Sequence, residues 1–253
     1  MVILPTSDDG IGKTKAVWGS DTILRELCSD PNTVNLYPSP VADKIKTLED
    51  DLATRLGASA RCFGYSYLLH PSKKYYKLAS KFLTLNCPKV EQIAFEKMLD
   101  KGLAKGMKRM MKVDEYGPIA ESEIRKVFDE LSLQLENSGG EYLMDTTSKS
   151  YGFTAADLNL SALAYFILRP PEMEPFLLPE NENPPELIQL GKDLRATTAG
   201  KHVLKMYKQH RPVNAETGHI DLKKVDQNRT PWPELAGFAT ILGAVAYGVA
   251  SRL

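Results

Sequence analysis

Residues 151 to 168, YGFTAADLNLSALAYFIL, constrain the fold of this chain more than any other stretch. Thr154 is placed to cap a helix, because its hydroxyl can accept a hydrogen bond from a free backbone N–H. Asp157, three residues on, can accept in return from the N–H of Thr154. Phe153 and Leu158 flank the cap as a hydrophobic staple. The pattern predicts a helix whose N-cap is Thr154.

The interior of this predicted helix is apolar on nearly every face, with Leu160, Leu163, Ala164, Phe166, Ile167 and Leu168. Such a helix lies at the centre of a bundle. Its N-terminal donors are then shielded from water and need side-chain partners, each worth about 0.5–2 kcal/mol. We therefore interpret Thr154 and Asp157 as a structural capping box rather than as catalytic residues.

Other stretches of the chain also show helical periodicity. Apolar residues recur every three or four positions over residues 42–69, 121–140 and 185–211, the last interrupted near residues 197–200. The proline-rich residues 169–185 predict a surface loop.

The first residues of the chain predict a small β-β-α unit. VIL and KAVW are brief strand-like runs around a turn, and GSDTILRELCS is a short helix with Ser20 or Asp21 as its cap. Two strands are too little sheet to stand alone, so this unit needs support from the rest of the chain.

Composition narrows the class of protein. The chain is 43% hydrophobic and 25% charged, so it can bury a sizeable core. Lys and Arg (32) balance Asp and Glu (32), which gives no indication of a nucleic-acid partner. Cys28, Cys62 and Cys87 form no CxxC pair, which favours free thiols in a reducing, intracellular compartment, with Cys62 as a small buried hydrophobe.

Four of these stretches, in this order, resemble the glutathione transferase family. FTAADLNLSAL is similar to the capping box and core helix of its C-terminal domain, and LEDDLATRLGASARCFGYSYLL to the first long helix of that domain. LRATTAGKHVLKMYKQHR resembles the closing segment, and VWGSDTILREL with LYP resembles the last strand and helix of the thioredoxin-like domain and the linker. The resemblance covers roughly residues 15–212.

The resemblance implies a fold of the α+β, mostly α, type with a transferase-like helical bundle. The expected domains are a partial thioredoxin-like region (1–37), a helical domain (38–212), a polar linker (213–234) and a C-terminal apolar helix (235–253). It also implies glutathione as co-substrate, hydrophobic electrophiles as substrates, and a homodimer or larger protein complex.

The resemblance places one glutathione-binding residue. The family's acid–Ser pair, which holds the γ-glutamyl end of glutathione, aligns with Gly19 and Ser20, so Ser20 matches and the acid does not. A plain helix cap is the alternative for Ser20. The chain enters the family pattern in or just before the third strand, and Pro5 does not match the family's cis-proline. The thiol-activating residue is therefore unmatched, and we name no catalytic residue.

Arg61 and Tyr65 are candidates for the co-substrate pocket. They lie one helical turn apart on the helix that lines this pocket in the resembling family, and together they suit an anionic or aromatic ligand. For these two residues, an ion pair of Arg61 and a packed ring of Tyr65 are the structural alternative.

None of His70, His202, His210 and His219 has a ligand partner at metal spacing, so we predict no metal. The basic stretch KGMKRMMK suits either an anionic membrane surface or a solvated face over packed methionines.

Residues 235–251 contain no charged side chain, and these 17 positions span about 26 Å as a helix, against about 30 Å for a hydrocarbon core. We favour a C-terminal anchor to an organelle membrane. A soluble helix docked on the domain, in a cytosolic protein, and a peroxisomal address in the final SRL are the alternatives.

Two function hypotheses follow. The first is an enzyme that conjugates or reduces hydrophobic electrophiles with glutathione. The second is a non-catalytic, membrane-associated structural or assembly subunit that uses the same fold as an interaction module. An in-frame coding sequence upstream of Met1 for β-α-β-α would favour the enzyme, and a stop codon there would favour the assembly subunit.

Overall fold

The structure is a computed structural model, which describes residues 2–5, 14–70, 73–84, 87–139 and 141–211. The chain is mostly helical, as the sequence predicts. Its contacts divide the described residues into two compact units. The first unit contains residues 2–5, 14–64, 115–139 and 141–211, and the second contains residues 65–70, 73–84 and 87–114.

The described strands are β1 (Val2–Pro5) and β2 (Thr14–Val17). The described α-helices are α1 (Ser20–Leu27), α2 (Ala42–Leu52), α3 (Ala58–Leu68), α4 (Lys73–Leu83), α5 (Lys89–Met98), α6 (Ala104–Met110), α7 (Val113–Ser138), α8 (Ala155–Leu168), α9 (Pro185–Ala196) and α10 (Thr198–His210). Two π-helical turns, Ala53–Gly57 and Leu99–Leu103, join α2 to α3 and α5 to α6. Two 3-10 turns, Pro171–Phe176 and Glu180–Glu182, follow α8.

The predicted β-β-α unit is confirmed, but its predicted cap is wrong. β1 and β2 pair in antiparallel register, with Val2 opposite Val17. The N-cap of α1 is Gly19, at φ 89°, and Ser20 is already the first helical residue. The left-handed backbone of this glycine starts the helix without a side-chain cap, because only glycine adopts that conformation without strain.

Helix α8 occupies the centre of the first unit, as predicted. It packs against α2, the π turn after α2, α9 and α10. A Cβ built at Gly191 of α9 would lie 2.4 Å from the carbonyl oxygen of Ile167, so α9 approaches the backbone of α8 directly. Residues buried on α8 are Ala155, Ala156, Asp157, Leu160, Ser161, Ala164, Ile167 and Leu168.

The long periodic stretches form helices, and some of their ends agree with the sequence prediction while others do not. Residues 42–69 form α2 and α3 with a π turn between them. Helix α7 begins at Val113, well before the predicted start, and contains Pro118. The predicted interruption near residues 197–200 is confirmed, since Thr197 separates α9 from α10 and its hydroxyl accepts from the N–H of Gly200 at 3.0 Å.

The proline-rich segment is more ordered than a surface loop. It carries two 3-10 turns, and Met173 and Leu178 are buried. Met173 lies in the first turn and Leu178 between the two turns, and two isolated apolar residues give no periodic signal in the sequence.

The second unit is built around the contact of α4 with α5. The hydroxyl of Ser80 on α4 donates to the carbonyl of Gln92 on α5 at 2.7 Å. The side-chain amide of Gln92 donates to the carbonyl of Cys87 at 3.0 Å. These bonds hold α4 and α5 together.

Candidate functional site

Asp157 is the centre of a buried polar cluster. Its side chain is fully buried, and each of its oxygens accepts two hydrogen bonds. Oδ2 accepts from the backbone N–H of Thr154 at 2.9 Å and from its hydroxyl at 2.8 Å. Thr154 and Asp157 form the predicted capping box. The carboxylate is thus fully occupied by structural donors.

The other oxygen of Asp157 holds two segments that the sequence does not connect to it. Oδ1 accepts from the backbone N–H of Leu143 at 2.9 Å and lies 2.9 Å from Nε2 of His202 on α10. A carboxylate has only acceptors, so Nε2 is the donor in this pair. His202 is buried, together with Val203 and Met206 of the same helix.

Sequence reasoning missed His202 as the partner of Asp157. The two residues are 45 positions apart, and no local spacing relates them. The available signal was the position of His202 on the apolar face of α10, where a buried histidine requires a polar partner.

Asp145 organises the loop before α8 in the same way. Its Oδ2 accepts from the backbone N–H groups of Glu141 at 3.0 Å and Tyr142 at 3.1 Å. Its Oδ1 accepts from the hydroxyl of Ser150 at 3.0 Å and from the N–H of Tyr151 at 2.7 Å. Burial by itself raises the pKa of Asp145, but these hydrogen bonds outweigh burial and place the pKa below its usual value.

We expect Asp145→Asn to lower the free energy of unfolding by about 1–3 kcal/mol at neutral pH, because an amide cannot accept all four bonds. The pKa of Asp145 is lower in the folded chain, so its contribution is complete above the usual carboxyl pKa of about 4. That contribution is lost as the pH falls through the folded pKa. Thermal unfolding between pH 7 and pH 2.5 should show the difference from wild type shrinking on the acid side.

The matched control is Asp43→Asn, whose carboxylate is almost fully exposed. It should change stability little at any of these pH values. A destabilisation by Asp145→Asn that is independent of pH would show that the carboxylate charge contributes nothing.

A cleft of about 690 Å³ lies beside this loop. Residues along the length of α2, from Asp43 to Asp51, line it together with residues of α7 and of the loop. Its full lining is Pro40, Val41, Asp43, Lys44, Thr47, Leu48, Asp51, Gln134, Leu143, Met144, Asp145, Thr146 and Tyr151. The cleft is large enough for a small molecule.

A third buried carboxylate, that of Glu49, holds the segment between α1 and α2, which we call the linker before α2, against α2. Glu49 on α2 accepts from the hydroxyl of Tyr37 at 2.9 Å and from Nη2 of Arg25 on α1 at 3.2 Å. The pKa of Tyr37 is raised above its ordinary value, mainly because the side chain is buried and secondly because its hydroxyl donates to Glu49. The carbonyl of Leu36 accepts from the N–H of Ala155 at 3.0 Å, so the linker also touches the first turn of α8.

Arg55, in the π turn after α2, connects that turn to α7. Its Nε donates to Glu123 at 2.6 Å, and Nη1 and Nη2 donate to the two oxygens of Glu130 at 2.7 and 3.1 Å. The paired bonds match the fork of a guanidinium to a carboxylate. The sequence gives no indication of this network, because its members are 68 and 75 positions apart.

The predicted ligand-binding residues are found on α1 and α3. Ser20 is exposed on the first turn of α1, Arg61 is exposed on α3, and Tyr65 is half-buried on the same helix. Cys62 is buried, as predicted, and burial raises the pKa of its thiol while Arg61 lowers it. Among the described residues, those that line the cleft include none of Ser20, Arg61 and Tyr65.

Several predictions concern residues outside the described part of the chain. These are the polar linker 213–234, the apolar run 235–251 and His219. Within the described residues, no helix has the length and apolar character needed to cross a bilayer. Within the same residues, no three His, Cys, Asp or Glu side chains converge as a metal site.

Comparisons with protein-family models, curated proteins and solved structures gave no match to this chain.

Proposed function

We propose that this chain has a glutathione-transferase-like architecture, with the first unit providing most of its helical domain. The observation that carries this proposal is the capping box of Thr154 and Asp157 at the start of a buried central helix. The family that the sequence resembles has such a box at the same helix. The hairpin, α1 and the linker precede α2 in the order that the resemblance requires.

The function that follows from this architecture is conjugation or reduction of hydrophobic electrophiles with glutathione. Ser20 supports it, because this residue is exposed in the first turn of α1, directly after β2. Free N–H groups at a helix start favour a carboxylate such as the γ-glutamyl end of glutathione. Arg61 and Tyr65 on α3 are the co-substrate residues in this proposal.

Titration of the purified chain with glutathione tests the role of Ser20. We expect weak binding that Ser20→Ala lowers at least about threefold, since one hydroxyl bond to a charged group is lost. Because the acid of the family pair is unmatched, the chain should be poorly retained on immobilised glutathione. The matched control is Ser122→Ala, which removes an exposed hydroxyl from α7. Tight binding that Ser20→Ala leaves unchanged would contradict this site.

The second candidate is an interaction module in a membrane-associated assembly. It is supported by the way the first unit uses Glu49, Asp145 and Asp157, since each buried carboxylate holds separate segments together. Such saturated groups make a rigid scaffold. Absence of both glutathione binding and conjugation by the full chain would favour this candidate over the enzyme.

The membrane part of this candidate rests on residues 235–251. A soluble reporter fused to residues 213–253 should stay with the membrane fraction after carbonate extraction, because an apolar helix remains in the bilayer. The same reporter with charged residues placed at Leu242 and Val245 is the control and should be released. Release of the unmodified fusion would exclude the anchor.

A further inference from the structure

Positive charge is concentrated in the second unit. Residues 65–114 contain eleven Lys or Arg and four Asp or Glu, a net charge of +7, although the whole chain is neutral. An asymmetry of this size within a neutral chain indicates a surface for an anionic partner.

The charge is densest around α6. Residues 101–113, KGLAKGMKRMMKV, contain five cations and no acid. Lys101, Lys105 and Arg109 are exposed, and Lys105 and Arg109 share one face of α6 because they are four positions apart. Lys108 is set back and lies 3.5 Å from the carboxylate of Asp114.

Large apolar side chains are also exposed in this unit. Val90 and Ile93 are 57% and 47% exposed, and their spacing puts them on one face of α5. Met98, at the end of α5, is 38% exposed, and Met110, at the end of α6, is 62% exposed. Scattered exposed apolar residues are ordinary, but here they accompany a cationic segment in one compact unit.

We propose that α5, α6 and the turn between them form a docking surface for anionic membranes. We call residues 89–113 the basic surface. Cations attract the negative lipid headgroups, and aliphatic and methionine side chains insert at the boundary with the acyl chains. A site for single-stranded nucleic acid presents aromatic rings on which bases stack, whereas the exposed apolar groups of this surface are aliphatic or methionine.

Vesicle co-sedimentation with the full chain tests the basic surface. The probes are vesicles of phosphatidylcholine alone and of phosphatidylcholine with 30% phosphatidylserine, each at low and at high salt. We expect the partition coefficient on the anionic vesicles to exceed that on neutral vesicles about tenfold or more, and the excess to fall at high salt. Binding to neutral vesicles reports other apolar parts of the chain, including residues 235–251, and is subtracted.

Further variants distinguish an effect of the basic surface from an effect of net charge or of misfolding. Lys105→Glu with Arg109→Glu should abolish the excess on anionic vesicles, while Lys192→Glu with Lys208→Glu makes the same change in net charge at exposed sites of the first unit. Met110→Ser, which leaves the charges in place, should lower the excess about threefold. Circular dichroism checks that each variant is folded.

Any of the following outcomes would overturn the proposal. They are no excess on anionic vesicles, equal losses from the two charge reversals, no effect of Met110→Ser, and tighter binding to a single-stranded oligonucleotide than to the anionic vesicles. The last outcome would assign the surface to nucleic acid, and concentration-dependent self-association that the charge reversal abolishes would assign it to a second copy of this chain.

Discussion

Replacing Asp157 by alanine should lower the free energy of unfolding by about 3–5 kcal/mol, a large part of the stability of an ordinary domain. The carboxylate is fully buried and accepts four hydrogen bonds. Its removal leaves two donors of Thr154, the N–H of Leu143 and Nε2 of His202 without their acceptor in the buried interior. Urea unfolding followed by circular dichroism measures the loss.

The asparagine variant tests the same arrangement more sharply. Each oxygen of Asp157 accepts from one backbone N–H, of Thr154 or of Leu143, so either orientation of an amide points its NH₂ group at a donor that cannot become an acceptor. Asp157→Asn should therefore be nearly as unstable as Asp157→Ala, although it preserves shape. A loss below about 1 kcal/mol would show that the four bonds contribute little. Asp43→Asn, at an exposed carboxylate, again serves as the control.

Combination with His202→Ala shows whether the pair acts as a unit. The double variant should lose less stability than the sum of the two single variants, because both remove the same interaction. A catalytic role for Asp157 makes the opposite prediction, namely lost turnover in a variant that keeps its stability.

Replacing Gly200 by alanine should destabilise the first unit by about 3 kcal/mol or more. A Cβ at this position would lie 1.9 Å from the carbonyl oxygen of Leu194 and 3.0 Å from Cα of Arg195. Both atoms belong to the backbone of α9, so no side-chain rotation relieves the overlap. The turn at Thr197 must then open and separate α10 from α9.

Gly106→Ala is the matched control for Gly200→Ala. Gly106 also lies within a helix, α6, but nothing within 4 Å would meet its Cβ. It should be neutral or stabilising by about 0.5–1 kcal/mol, since alanine is the better helix former. The midpoint of thermal unfolding should therefore fall in Gly200→Ala and stay the same or rise in Gly106→Ala. Equal changes in stability would mean that the effect of Gly200→Ala comes from helix propensity and not from the close approach of α9 to α10.

Local signals predicted much of the first unit. The helix that starts after Thr154, its central position and the break near Thr197 all follow from spacing within a few residues. The predicted Ser20 cap is wrong because the φ of 89° at Gly19 starts the helix one residue earlier. Helix α4 (Lys73–Leu83) has its apolar residues Tyr75, Leu78, Ala79 and Leu83 at helical spacing, so a local signal for it is present in the sequence as well.

The sequence by itself determined where α8 begins and that it must be buried. A capping box and an apolar helix face are short-range properties, and they require no knowledge of the partner. Only the tertiary structure decided that Asp157 also holds Leu143 and His202, because a buried carboxylate takes whichever donors the packed chain brings within reach. The same holds for Arg55 and its two glutamates, whose separation along the chain leaves no pattern to detect.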